Sequence, residues 1–376
     1  MSEAGAVLDR IKPAIRVFRP DHRGGVQVDV KLDQNENPYD FPVSLKDEVM
    51  AAVAKKAWGR YPSARPEILT AALSRFVGWP AEGIVLGNGS NELIHAILVA
   101  ACGAGRRLVT VTPTFGLYKL HATFLDSEVH EVPLRPDLSF DATAIRAEAD
   151  RVNADVIAVC SPNNPTGSIL GRDELESIVR GFGGFVVVDE AYHEFAGTSF
   201  VPLLERYKNL LLLRTFSKAM GLAGVRIGYL LAHRQAAEQI EKAKVPFSVN
   251  LFSCEAARVA LEHFSLVEER IRLIVSERDR LMAGLARVQQ IRAYPSAANF
   301  ILFDVIGDRQ QVLRGLIERG VLIRDVSSPG LLANAVRVSV GTPAENDRFL
   351  HALRDVVSVF DPPARTDVAP AREPFV

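Results

Sequence analysis

Short apolar runs recur through the middle of the chain: Leu108–Thr112 (LVTVT), Val156–Cys160 (VIAVC), Phe185–Val188 (FVVV), Leu210–Leu213 (LLLL) and Ile227–Leu231 (IGYLL). Runs of this length without strict alternation predict strands buried on both faces. Between them lie amphipathic stretches of helix length, such as Asp141–Arg151 and Arg172–Arg180. Strands separated by helical segments predict an α/β domain with a largely parallel central sheet and helices on both faces. Polar residues cluster just after the strands' C-terminal ends, where open sheets of this kind bind ligands.

The pattern changes toward the C-terminus. Leu251–Leu285 predicts one long helix or two broken ones, with Glu and Arg on one face. Short strands follow at Phe300–Asp304, Val321–Arg324 and Val336–Val340, with a helix between the first two. This predicts a smaller α+β domain. The division expected is an N-terminal arm (1–38) packed on the small domain, a large domain (39–255), the small domain (256–361) and a disordered tail (362–376). The tail, DPPARTDVAPAREPFV, is rich in Pro, Ala and charge.

Composition narrows the function. With 376 residues and 48% hydrophobic content, the chain can bury one large core and a smaller second one. Its 44 basic and 45 acidic residues give no electrostatic reason to expect nucleic acid or an anionic membrane. No apolar run approaches the roughly 18 residues of a membrane span. The start of the chain lacks the apolar core of a signal peptide. Cys102, Cys160 and Cys254 form no CxxC, and the eight histidines show no ligand spacing. A cytoplasmic protein with reduced thiols and no metal is expected.

Four stretches carry candidate chemistry. Lys218 follows the strand LLLL in Thr215-Phe216-Ser217-Lys218, at the rim of the sheet. A lone lysine there is ordinarily a surface residue; its company changes that. Asp189 closes the strand Phe185–Val188, and a carboxylate at a buried strand end needs a partner or a task. It is either a helix cap or the counter-charge for a protonated ring nitrogen. Ser161–Gly167 (SPNNPTG) is a turn by composition, and its two prolines also aim Asn164. Gly87–Glu92 (GNGSNE) precedes the helical pattern Leu93–Ala101. Small residues there leave backbone N–H groups free to hold a phosphate.

Together these stretches resemble the pyridoxal-5′-phosphate (PLP) dependent aminotransferases of fold type I, and within them the histidinol-phosphate group most closely. The resemblance runs from LDQNENP (32–38) through CSPNNPTG (160–167), VVVDEAYHEF (186–195), LRTFSKAMGLAGVRIGY (213–229) and PSAANFILF (295–303) to GTPAENDRFL (341–350). It implies that Lys218 forms the Schiff base with PLP and then moves the substrate's proton. It implies Asp189 on the pyridine nitrogen, Tyr192 and Asn164 on the ring oxygen, and Phe115 against the ring face. Phe115 departs mildly from a tyrosine familiar there. Gly89, Ser90, Asn91, Ser217 and Arg226 would hold the phosphate. Tyr61 would reach the same phosphate from the partner subunit of a homodimer with shared active sites. Arg337 and Arg324, with Asn164, would bind substrate.

The implied reaction exchanges an amino group between histidinol phosphate and 2-oxoglutarate by a ping-pong route. One departure bears on substrate. The arm reads Ile11-Lys12-Pro13-Ala14 where the group often carries a substrate-touching tyrosine, so Arg16 or His22 would have to substitute for it. An aromatic amino acid aminotransferase is the alternative. A PLP lyase such as threonine-phosphate decarboxylase is a further one, and a non-catalytic PLP-binding regulator lacks room for a DNA-binding domain.

Overall fold

The computed structural model describes residues 7–19 and 26–360. The tail 362–376, and His22 in the N-terminal segment, lie outside the described residues. In chain order the strands are β1 (Val30–Leu32), β2 (Ile84–Gly87), β3 (Arg107–Thr112), β4 (Glu128–Pro133), β5 (Val156–Cys160), β6 (Phe185–Asp189), β7 (Leu210–Thr215), β8 (Gly228–Ala232), β9 (Ile291–Ala293), β10 (Phe300–Val305), β11 (Val321–Asp325) and β12 (Ala335–Ser339).

Seven strands form the large sheet in the order β2-β8-β7-β6-β5-β3-β4. The apolar runs are its interior, and β5, β7 and β8 are buried at every position. Strand β8 runs antiparallel to both of its neighbours, and the other pairings are parallel. The chain from β7 to β8 contains no crossover helix, so it can only return antiparallel. That return segment carries Lys218.

Register brings distant stretches together. Cys160 pairs with Asp189, and Asp189 with Leu213, so β5, β6 and β7 end at one level. Thr215 pairs with Gly228, and Gly87 pairs with Gly228 from the other side. The loop after β5, the end of β6, the loop after β7 and the helix following β2 therefore all start from the same edge.

The small sheet has the order β1-β11-β12-β10-β9, antiparallel except for the β1–β11 pair. The N-terminal segment thus enters this sheet through Val30–Leu32. Its earlier helix, Pro13–Val17, instead packs against the helix Leu117–Phe124, where Phe18 meets Phe124 edge-on at 5.6 Å. The stretch Leu251–Leu285 is two helices, Leu251–Glu262 and Phe264–Leu285, broken at His263. The first of them packs on the helices Val43–Ala54 and Glu67–Val77, so a border at 255 falls inside it. Among the described residues, the buried apolar side chains form one continuous cluster through both sheets, plus a four-residue satellite of Leu138, Leu302, Leu332 and Ala335. The second core expected from composition is therefore only this satellite.

Candidate active site

A cavity of about 780 Å³ opens where the strand ends converge, between the large sheet and β11–β12 of the small one. Lys218, Asp189, Tyr192, Asn164, Phe115, Ser90, Asn91, Ser217, Arg226, Arg324 and Arg337 all line it. Residues spread from Ser90 to Arg337 share one cavity because the sheet register puts them there.

Lys218 is partly buried and donates from Nζ to the backbone carbonyl of Gln34 at 2.9 Å. Burial, with the nearby Arg337 and Arg226 charges, lowers its pKa to about 8. Asp189 is only 3% exposed. Tyr118 Oη donates to its Oδ2 at 2.8 Å, and the Ala191 N–H donates to its Oδ1 at 3.1 Å. Both donors are neutral. Burial raises the Asp189 pKa to about 6, against the pull of those two hydrogen bonds. Tyr192 is buried, its hydroxyl accepting from Asn35 Nδ2 at 3.0 Å and lying 3.5 Å from Asn164 Nδ2. Burial pushes its phenol above the ordinary range. Cys160 is buried, its thiol donating to the Pro162 carbonyl at 3.1 Å and held protonated by burial.

The loop after β5 is pinned by its own bonds. Asn163 Nδ2 donates to Thr166 Oγ1 at 2.8 Å and to the Pro113 carbonyl at 3.0 Å, and Ser161 Oγ accepts from the Leu170 N–H. Asn164 is thereby held toward the cavity, where its Oδ1 accepts from Arg337 Nη1 at 2.6 Å. Arg337 Nη2 donates to the Asp33 carbonyl at 2.7 Å, and the guanidinium lies 5.3 Å from the Phe300 ring centroid. Arg337 thus points inward rather than to water. Arg324 sits directly opposite it in the β11–β12 register. Its neighbour Asp325 pairs with Arg309 at 3.4 Å and accepts from Gln310.

At the other end of the cavity the helix Ser90–Ala101 begins with Gly89 as its N-cap, and no side chain caps it. Its first N–H groups are therefore available to an anion. Arg226 Nη1 donates to Ser217 Oγ at 3.2 Å. Gly89 does not line the cavity, but it has φ +76°, and a Cβ there would stand 2.5 Å from Arg226 Nη2. Only glycine lets the arginine lie against the helix start. Phe115 forms part of the side wall and meets Tyr118 edge-on at 5.9 Å.

Three placements differ from the rest. Tyr61 is 86% exposed, stacked on Phe247, and does not reach this chain's cavity. Ala14 and Arg16 do not line it either, and Arg16 pairs with Asp9 at 2.5 Å. His193 Nδ1 donates to the Glu190 carbonyl at 2.9 Å, a contact within its own turn. Two residues went unnoticed in sequence. Asn35 lies in the quoted motif LDQNENP but bonds Tyr192 across 157 positions, and Tyr118 bonds Asp189 across 71.

The chain belongs to the aminotransferase class I and II family, which it matches over residues 28–353. A histidinol-phosphate aminotransferase of Chlorobaculum parvum is 41% identical over 346 residues, covering 92% of this chain and 97% of its own. The structure of histidinol-phosphate aminotransferase from Sinorhizobium meliloti, in complex with pyridoxal-5′-phosphate, is similar with a TM-score of 0.86 at 25% identity. It covers 94% of this chain and 98% of its own. L-threonine-O-3-phosphate decarboxylase from Porphyromonas gingivalis is similar as well, with a TM-score of 0.77 at 25% identity over 88% of this chain and 99% of its own. One fold thus serves transfer and decarboxylation, and the reaction has to be argued from the site.

Proposed function

We propose that this protein is a PLP-dependent transaminase of histidine biosynthesis, exchanging the amino group of histidinol phosphate with 2-oxoglutarate to give imidazole-acetol phosphate and glutamate by a ping-pong route. The observation that carries the substrate class is the facing pair Arg324 and Arg337 on one cavity wall. Like charges directly opposite on neighbouring strands repel. A phosphate or carboxylate between them turns that cost into bidentate binding.

The residues fit the cofactor. Asp189 is a buried carboxylate facing the cavity with only neutral hydrogen-bond donors, which suits a protonated pyridine nitrogen. The uncapped helix start, Ser217 and Arg226 suit its phosphate. When bound, PLP draws electrons from the substrate's Cα so that the α proton can leave. Lys218 anchors the cofactor and afterwards takes and returns that proton. Its lowered pKa brings the neutral amine within reach near neutral pH. Tyr192 and Asn164 hold the ring oxygen, and Phe115 flanks the ring.

Tyr61 of the partner subunit completes the phosphate site in a homodimer. Its support is the exposure of Tyr61 together with the apolar side chains of Trp58, Ile68 and Val245. One observation favours a second specificity, for aromatic amino acids: neither Ala14 nor Arg16 lines the cavity. Single half-reactions decide between them. Rapid loss of the PLP-form absorbance with histidinol phosphate and glutamate, and slow loss with phenylalanine, is expected. Fast conversion by phenylalanine without response to histidinol phosphate would overturn the proposal.

A further inference from the structure

One buried hydroxyl lies behind the cavity wall, against two residues that line it, and has no part in amino transfer. Tyr118 lies in the first turn of the helix Leu117–Phe124 and is 1% exposed. Burial keeps its phenol protonated far into the alkaline range, so it is a permanent donor. Its hydroxyl is aimed at Asp189 Oδ2, and its ring supports Phe115 edge-on. The other ionisable groups acting on Asp189 are its neighbour Glu190, the Lys218 amine, the Cys160 thiol and the Tyr192 phenol. Of the influences that favour the charged carboxylate, the Tyr118 bond is the largest.

Resting on the PLP assignment, we infer that Tyr118 is a positioning residue: its hydroxyl holds the Asp189 carboxylate charged and aimed at the cofactor's ring nitrogen, while its ring backs the Phe115 wall. One side chain thereby couples the edge contact and the face contact of the same ring. A tyrosine that merely filled the core would contribute to stability but not to the ionisation of Asp189.

The two roles separate in a cycle of Tyr118→Phe, Asp189→Asn and the double variant. In ligand-free protein, infrared titration follows the protonated-carboxyl band that Asp189→Asn removes. Its midpoint is expected to rise by about one pH unit in Tyr118→Phe, the size of a hydrogen bond to a charged group. PLP affinity, read by fluorescence titration, is expected to fall about tenfold in Tyr118→Phe and to fall no further when that change is added to Asp189→Asn. An unmoved midpoint, or the same loss of affinity in both backgrounds, would overturn the inference. Failure of all four proteins to bind PLP would instead remove the cofactor assignment, with the carboxyl titration still deciding whether Tyr118 governs Asp189.

Discussion

Asp189 and Glu190 are adjacent in sequence and both nearly inaccessible, yet their surroundings differ in kind. Glu190, 1% exposed, bonds the guanidinium of Arg214 at 2.8 Å and the Phe200 N–H at 2.6 Å. Asp189 has a hydroxyl and an amide N–H, and its pKa sits near 6. Glu190 is balanced within the fold and turns away from the cavity, whereas Asp189 lines it. A buried carboxylate that the fold balances with a cation serves structure. One that the fold leaves to neutral donors beside a cavity is kept for a cationic ligand.

The sharpest way to extend that contrast is at Lys218. Lys218→Ala is expected to cut the amino-transfer half-reaction by at least about 10²–10⁴-fold, measured in single turnovers, the range for loss of a positioned acid/base. It should leave the ligand-free fold as stable as before or slightly more so, because an amine whose pKa the fold lowers to about 8 is itself a burden. A variant that retained transfer would detach the chemistry from this cavity.

Arg214→Met breaks the balanced side of the comparison. It strands Glu190 as a buried, uncompensated charge, and a loss of about 3–5 kcal/mol in urea unfolding is expected. A loss below about 1 kcal/mol would mean that the pair is not the structural element its burial suggests.

Asp189→Asn is expected to do the reverse in ligand-free protein. The folded pKa of Asp189, near 6, lies above its unfolded value of 3.8. Below the lower value both states are protonated, and the group is neutral toward stability. As pH rises from there toward 6 the unfolded state ionises first, so stability falls; above 6 the penalty is complete. The asparagine variant escapes it, gaining at most about 2–3 kcal/mol near neutral pH and nothing below the unfolded pKa. The same change should weaken PLP binding. Urea unfolding at the two pH values checks the first part, and equal stabilities at both would contradict it.

The smallest expected effect is at the substrate wall. Arg337→Lys keeps the charge and loses the planar fork, so KM for a phosphate-bearing amine should rise by roughly tenfold while cofactor binding is unaffected. An unchanged KM would place the phosphate elsewhere.

How much of this was legible in sequence follows from which contacts are local. The interior strands announced themselves because a strand buried on both faces must be apolar throughout, as VIAVC and LLLL are. Edge strand β4, EVHEVP, was not recognised, since only Val132 of its six residues is buried. Strands β1 and β9 span three residues each, too short for any periodicity. In the cavity, Lys218, Asp189, Asn164 and the Gly89 turn were visible because each closes a strand, follows one within a few residues, or opens a helix. Tyr118 and Asn35 were not, since their partners are fixed only by sheet register. The inward aim of Arg337 was likewise invisible, as an arginine alternating with valines ordinarily faces water. The resemblance implied the role proposed for it, and the bonds to Asn164 and the Asp33 carbonyl explain how it is held.

The most direct test of the cavity's role is to trap the cofactor. The PLP-loaded protein is reduced with borohydride, digested, and the modified peptide mapped by mass. A pyridoxyl group on Lys218, within the segment that returns from β7 to β8, is the expected result. Modification of another lysine, or of none in protein that binds PLP, would contradict the assignment of this cavity as the active site.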